Sequence, residues 1–232
     1  MSAHEEARRH LALKLLYDEV IITPKSNHKL VVTRGNERGF VDASYTKGPL
    51  LPIYIDLHTG NDSKPGPLLG STVDRATRYM QFMRHEHKLE VSAVAGIPEA
   101  GEPFARRWNQ LSNDLRLIRL GNEMRAGERE MVVLDPSTEL VDTQALLVDD
   151  LLAKNTISKF QALRALHEHR IHAAAVMVFL DLEQGGAQDL RRCGCDVYSI
   201  FTLRELLDLY VDSEDITEAY RHKVLAHYQK RA

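Results

Sequence analysis

Residues 145–157 read ALLVDDLLAKNTI, and this stretch decides the fold. An apolar run, Ala145-Leu146-Leu147-Val148, ends in two adjacent carboxylates, Asp149 and Asp150, and a helical pattern starts within a few residues. An apolar strand delivering acids to a strand-to-helix turn is how an open α/β sheet builds a ligand crevice at its carboxyl edge. Adjacent aspartates there can accept hydrogen bonds from vicinal hydroxyls or hold Mg²⁺ through water; the plainer alternative is a helix-capping role. The turn that follows carries Ala153, Lys154, Asn155, Thr156 and Ile157. It lacks glycine, the residue that takes φ > 0 freely and lets backbone approach a ligand closely.

Outward from this stretch, strand and helix patterns alternate. C-terminal to it, SKFQALRALHEHR (158–170) has Phe160, Leu163 and Leu166 at helical spacing, to face inward. HAAAVMVFLDL (172–182) is apolar throughout, as a strand buried on both faces requires. QDLRRCG (188–194) reads as a short helix, VYSIFT (197–202) as a final strand, and TLRELLDLY (202–210) opens a helical tail. N-terminal to it, VSAVAGIP (91–98) is an apolar strand, a helix runs through Phe104 and Trp108, and LRLIRL (115–120) is a strand. EMRAGEREM (123–131) reads as a polar loop and MVVLDP (131–136) as a short strand or turn. Four strands interleaved with helices predict a three-layer α/β fold with a mostly parallel central sheet. Ahead of it stand a helix from about Ala7 to Val20, strand-like KLVVT (29–33) and LPIYIDL (51–57) joined by a polar connector, and a helix from about Leu68 to His87 with Val73, Thr77 and Met80 inward. The expected organisation is one domain over 1–232: a helix and small hood to about residue 65, a core from 66 to 205, and a helical tail from 206 to 232.

The chain has 30 Lys and Arg against 33 Asp and Glu, a formal net charge of -3, so no broad field attracts nucleic acid or a membrane surface. Its apolar runs fall short of the roughly 18 residues of a membrane span, and MSAHEEARRH has no secretory apolar core. A cytoplasmic location is the expectation. Cys193 and Cys195 lie two apart in RRCGCDV, where a disulfide would be strained, and read as reduced thiols near a turn. His85 and His87, like His167 and His169, sit at i and i+2, about 200° apart on a helix, and cannot chelate from one face. Trp108 reads as a core or interface anchor, and Ile216, Tyr220, Val224 and Tyr228 as a packing stripe on the tail.

Five segments, in order, give these patterns a family likeness. Pro52-Ile53-Tyr54-Ile55-Asp56-Leu57, Ala95-Gly96-Ile97-Pro98 with Gly101, Pro103 and Ala105, Leu147-Val148-Asp149-Asp150, Asp181-Leu182-Glu183-Gln184-Gly185-Gly186, and Tyr198-Ser199-Ile200-Phe201-Thr202-Leu203 together resemble orotate phosphoribosyltransferase, a type I phosphoribosyltransferase. The resemblance spans Leu11 to Leu209. It implies a phosphoribosyl pyrophosphate (PRPP) donor, Mg²⁺ carried with the phosphorylated ligand, and a homodimer. It also implies an acid pair, Asp149 and Asp150, on the ribose hydroxyls and any metal; a phosphate loop at Ala153, Lys154, Asn155, Thr156 and Ile157; and a pyrophosphate loop at Ile97, Pro98, Glu99, Ala100 and Gly101.

Several positions depart from that pattern. Of the family's cationic mobile loop, the stretch 119–127 keeps Arg119 and Gly127, with Arg125 as a displaced cation, while Gly121 and Met124 stand where lysines are expected. Arg119 and Arg125 are therefore the candidate catalytic cations. Leu50 replaces the lysine ahead of the N-terminal motif, and Leu182 the arginine of the D-R-E-Q-G-G turn. Glu99 and Glu102 add negative charge beside a trianionic leaving group, which repels it unless a metal intervenes. The expectation is a protein without efficient orotate transfer that retains ribose-phosphate or nucleotide binding, as a pseudoenzyme or regulatory module. The competing readings are an active phosphoribosyltransferase with altered base specificity and an interaction scaffold with a vestigial pocket. No nucleic-acid or membrane partner is expected.

Overall fold

Ala145, Leu146, Leu147 and Val148 are completely shielded from solvent, because their strand has neighbours on both sides and helices on both faces. The computed structural model describes residues 2–23, 30–34, 37–41, 50–61, 64–125 and 127–229. Lys29, much of the expected polar connector, and Ala126 lie outside the described residues.

In chain order, helix α1 (Ala3–Tyr17) is followed by short strands β1 (Ile21–Ile22), β2 (Val32–Arg34), β3 (Glu37–Gly39), β4 (Tyr54–Ile55), β5 (Gly60–Asn61) and β6 (Lys64–Pro65). Then come α2 (Gly70–Glu86), β7 (Ala93–Gly96), α3 (Glu102–Leu111), β8 (Arg116–Ile118), β9 (Leu120–Arg125), β10 (Glu128–Val133) and β11 (Gln144–Leu152). The chain continues through α4 (Ile157–Glu168), β12 (His172–Asp181), α5 (Gly186–Arg192), β13 (Asp196–Thr202), α6 (Leu203–Asp212) and α7 (Glu218–Gln229). Two compact units result, Met1–Leu69 with Leu203–Ala232, and Gly70–Thr202.

In the first unit α1 starts four residues earlier than the apolar spacing predicts. Ser2 and Glu5 form a capping box: the Ser2 hydroxyl accepts the Glu5 N–H at 3.2 Å, and the Glu5 carboxylate accepts the Ser2 N–H at 2.5 Å. Glu19, at φ 55°, follows the helix end. Leu11, Ala12 and Leu15 are buried, and the hydroxyl of fully buried Tyr210 on α6 donates to the Ala12 carbonyl at 2.9 Å. Strands β1 and β4 pair antiparallel.

The second unit is built on five parallel strands in the order β13-β12-β11-β7-β8, each falling on an apolar run read as a strand from the sequence. Side chains alternate across the sheet. Ala93, Ala95, Ala145, Leu147, Val176 and Val178 join one buried cluster with Ala162, Ala165 and Leu166 of α4. On strand β12, Phe179 points the other way, meeting Phe104 of α3 at 6.1 Å and Phe201 at 5.9 Å between ring centroids. Trp108 is a core residue of this unit. Helices on both faces explain the absence of apolar–polar alternation in the strands. The chain runs outward from β7 to β8, then crosses back to β11 on the other side of β7. That reversal is a topological switch point, where the carboxyl ends of neighbouring strands leave a crevice.

Residues 123–131 are a correction to the polar-loop expectation. Strands β9 and β10 form an antiparallel hairpin in register from Leu120↔Val133 to Arg125↔Glu128. Its outer residues are charged and exposed, so the local pattern reads as loop, while Met131 and Val133 on β10 tuck into the apolar cluster.

Tyr210→Phe is expected to lower stability by about 1 kcal/mol through loss of the Ala12 hydrogen bond. Urea unfolding with an unchanged midpoint would show that the bond contributes nothing.

Candidate functional site

The crevice lies between the ends of β7 and β11, which are in register from Ala93↔Ala145 to Gly96↔Val148. Beyond β7, residues 97–101 fold back over the end of β11. The Ile97 N–H donates to the Val148 carbonyl at 3.0 Å, and the Gly101 N–H donates to the Ile97 carbonyl at 2.8 Å. The Pro98–Glu99 peptide is cis. A Cβ on Gly101 would lie 2.1 Å from the Val148 carbonyl oxygen, so only glycine lets this loop rest on the strand that carries the acids. Glu99 is exposed and Ala100 half-buried.

On the other side of β11, the turn 153–156 packs on the turn that follows β12. The Leu182 N–H donates to the Leu152 carbonyl at 2.8 Å. A Cβ on Gly186 would lie 2.2 Å from the Ala153 carbonyl oxygen. The close approach that glycine permits is therefore supplied at Gly186, across from the glycine-free turn. Within that turn Lys154 and Asn155 are exposed, Thr156 is buried, and the Ile157 N–H donates to the Asn155 side-chain oxygen at 3.2 Å. The Ile157 side chain is 61 % exposed at the start of α4.

Asp149 and Asp150, adjacent in sequence, have different surroundings. Asp149 is 2 % exposed and Lys159 of α4 is 6 % exposed. The Lys159 ammonium meets Asp149 Oδ2 at 2.5 Å and donates to the Leu151 carbonyl at 2.7 Å. Asp149 Oδ1 accepts the Asp150 N–H at 3.0 Å. Both oxygens of Asp149 are thus engaged within the protein. Asp150 is half-buried; burial, and then the neighbouring Asp149 charge, push its carboxyl up to about 7. At the end of β12, burial likewise raises Asp181, whose Oδ1 accepts the Glu183 N–H at 2.8 Å.

Arginines of α3 and of the hairpin region pair with acids of the same chain. Arg106 meets Glu102 at 2.5 Å, Arg107 pairs with Asp74, Arg119 pairs with Asp135, and Arg125 meets Glu123 at 3.4 Å. Arg125 lies on β9, near the far end of the hairpin from Leu120. Lys154 carries no ion pair to another described residue. Among the described residues, no group of three or more His, Cys, Asp or Glu is placed to hold a metal ion. His87 stacks on Tyr198 at 4.3 Å between ring centroids.

The structure thus brings together the 97–101 loop, the acid pair and the 153–157 turn around one strand end, and assigns Arg119 and Arg125 to the hairpin side. Lys159 is the residue the sequence reading passed over. Its signal was present: the buried stripe of α4 runs back from Leu166 through Ala162 to Lys159, placing a lysine on a core-facing line ten residues after Asp149. Taking Phe160 and Leu163 as the inner face missed it, for these two are only partly buried.

A five-stranded parallel sheet in this order, with an acid pair at its switch point, is the type I phosphoribosyltransferase fold. Within that class the chain is similar, at low identity, to the orotate phosphoribosyltransferases. It is 24% identical to "Orotate phosphoribosyltransferase" of Caenorhabditis elegans over 185 residues, covering 79% of this chain and 76% of that protein. It is 29% identical to the protein of the same name from Pyrobaculum calidifontis over 123 residues, 52% of this chain and 62% of that one. The crystal structure of orotate phosphoribosyltransferase from Aeropyrum pernix superposes with a TM-score of 0.61 at 21% identity, covering 85% of this chain and 96% of that one. The Leishmania donovani UMP synthase structure gives 0.67 at 21% identity over 97% of this chain, which spans 42% of that protein. No family model matches the chain. Among the described residues no helix is long and apolar enough to cross a membrane.

Lys159→Met leaves a buried carboxylate unpaired and is expected to cost about 3–5 kcal/mol. Adding Asp149→Asn should recover part of that loss; a double variant as unstable as the sum of the singles would show that the two residues are not coupled. A second expectation concerns pH. An unfolded aspartate titrates near about 3.9, whereas Asp150 in the fold titrates at about 7. The folded state holds this proton longer, so the contribution of Asp150 to stability is full below the lower value and is lost as pH rises through the higher one. Asp150→Asn should therefore gain stability relative to wild type across that window, read from urea midpoints at each pH. A constant difference would place the Asp150 titration elsewhere.

Proposed function

We propose that this chain binds a phosphorylated ribose ligand, a nucleotide or PRPP, at the β7/β11 crevice, and transfers phosphoribosyl groups to orotate poorly or not at all. One observation carries the reading: Arg106, Arg107, Arg119, Arg125 and Lys159 each rest on an acid of the same chain. Displacement of pyrophosphate from PRPP concentrates negative charge on the leaving group, and cations aimed at that charge supply much of the rate. Here Glu99 and Glu102 stand in the corresponding loop and first helical turn, and Glu102 already pairs with Arg106. What remains serves binding. Asp150, half-buried at the same strand end, has a carboxyl able to take ribose hydroxyls, and exposed Lys154 in the 153–157 turn offers charge to a phosphate.

A second reading rests on Leu182. This buried apolar side chain stands where the resemblance expects the arginine that holds the pyrimidine acid, and it would suit a base without a carboxylate. In either reading dimerisation is an expectation, read by sedimentation.

Calorimetric titration with UMP and with PRPP, with and without Mg²⁺, should show saturable binding that Asp150→Ala or Lys154→Ala weakens about tenfold. Orotate turnover should fall at least about 10³-fold below that of an active orotate phosphoribosyltransferase. Heat from neither ligand would sink the binding reading. Full orotate turnover would overturn the loss of transfer, and pyrophosphate release with another base would favour the second reading.

A further inference from the structure

Lys159 stands where a lysine is costly. It is third in α4, at the positive end of the helix macrodipole, which disfavours a cation. It is also buried, which disfavours its charge again. Two contacts offset these costs: the Asp149 carboxylate at 2.5 Å and the Leu151 carbonyl at 2.7 Å, both at the end of the strand that carries the acid pair.

The resemblance implies a divalent cation near that pair, and the donor set does not fit one held on Asp149. Of its two oxygens, Oδ2 is taken by the ammonium and Oδ1 by the Asp150 N–H. Asp150 is then the one remaining carboxylate of the pair, and the described residues provide no group of three acidic, His or Cys side chains around it. A divalent ion placed on Asp149 would share its carboxylate with a buried ammonium a few ångströms away. In an interior of low dielectric, that repulsion outweighs what one extra oxygen ligand returns. Mg²⁺ also gives up its own water reluctantly.

We propose that Lys159 is the resident counter-ion of the acid pair: its ammonium takes the place of a divalent cation at Asp149 and makes this edge of the crevice metal-free by construction. Lys159 is in this sense a positioning residue that sets which ligands Asp149 can take. The inference stands apart from the choice of ligand under the preceding heading, because it concerns metal binding to the protein alone.

The test is Mn²⁺ binding to the ligand-free full chain, followed by electron paramagnetic resonance. Wild type should show no stoichiometric Mn²⁺ that Asp149→Asn or Asp150→Asn abolishes. Lys159→Met, which frees Asp149 Oδ2 beside Asp150, should raise Mn²⁺ affinity at least about tenfold. Lys159→Arg, keeping the charge, should behave as wild type, and Lys159→Met/Asp150→Asn should lose the gained site. Circular dichroism confirms that each variant is folded, and Lys159→Gln replaces Lys159→Met where it is not. One Mn²⁺ bound by wild type and lost in Asp149→Asn would overturn the proposal, as would a folded Lys159→Met or Lys159→Gln that binds Mn²⁺ no better than wild type. Should neither variant fold, the wild-type titration against Asp149→Asn and Asp150→Asn decides.

Discussion

A carboxylate at the end of a strand buried on both faces needs a cation, and Lys159 brings it from the helix that follows. The ion pair joins β11 to the first turn of α4, so it fixes how far the connecting residues 153–156 travel before the helix begins. That turn in turn rests on Gly186, and the loop after β7 rests on the backbone of Val148 and Asp149 through Gly101. Three segments from different parts of the unit are thereby assembled around one strand end.

The same ion pair limits what the crevice can do. A buried pair of this kind adds little net stability, because desolvation offsets most of its Coulomb attraction. It engages Asp149 within the protein, while Asp150 is half-buried with a carboxyl raised by burial and by its neighbour. Arg106, Arg107, Arg119 and Arg125 pair with Glu102, Asp74, Asp135 and Glu123.

Much of the second unit was legible beforehand. Apolar runs at 145–148 and 172–180 without alternation announced strands covered on both faces, and the run of motifs from Pro52 to Leu203 announced the family likeness. The hairpin at 120–133 was not legible, because β9 and much of β10 are exposed and carry charges, a composition that local reading assigns to loops; their pairing comes from register with each other. Helix α1 starts ahead of its apolar stripe because the Ser2–Glu5 capping box, a polar signal, sets its first turn.

Sequence alone determined the parallel α/β class, the adjacency of Asp149 and Asp150, and the absence of lysine from 119–127, since periodicity and residue identity are local properties of the chain. Tertiary structure decided which acid is ion-paired and which cations are already paired. Those outcomes depend on distances between residues far apart in sequence, such as Arg107 with Asp74, or on the facing of one helical turn, as with Lys159 and Asp149. A side chain's charge is written in the sequence, but whether that charge is available to a ligand depends on what folds against it.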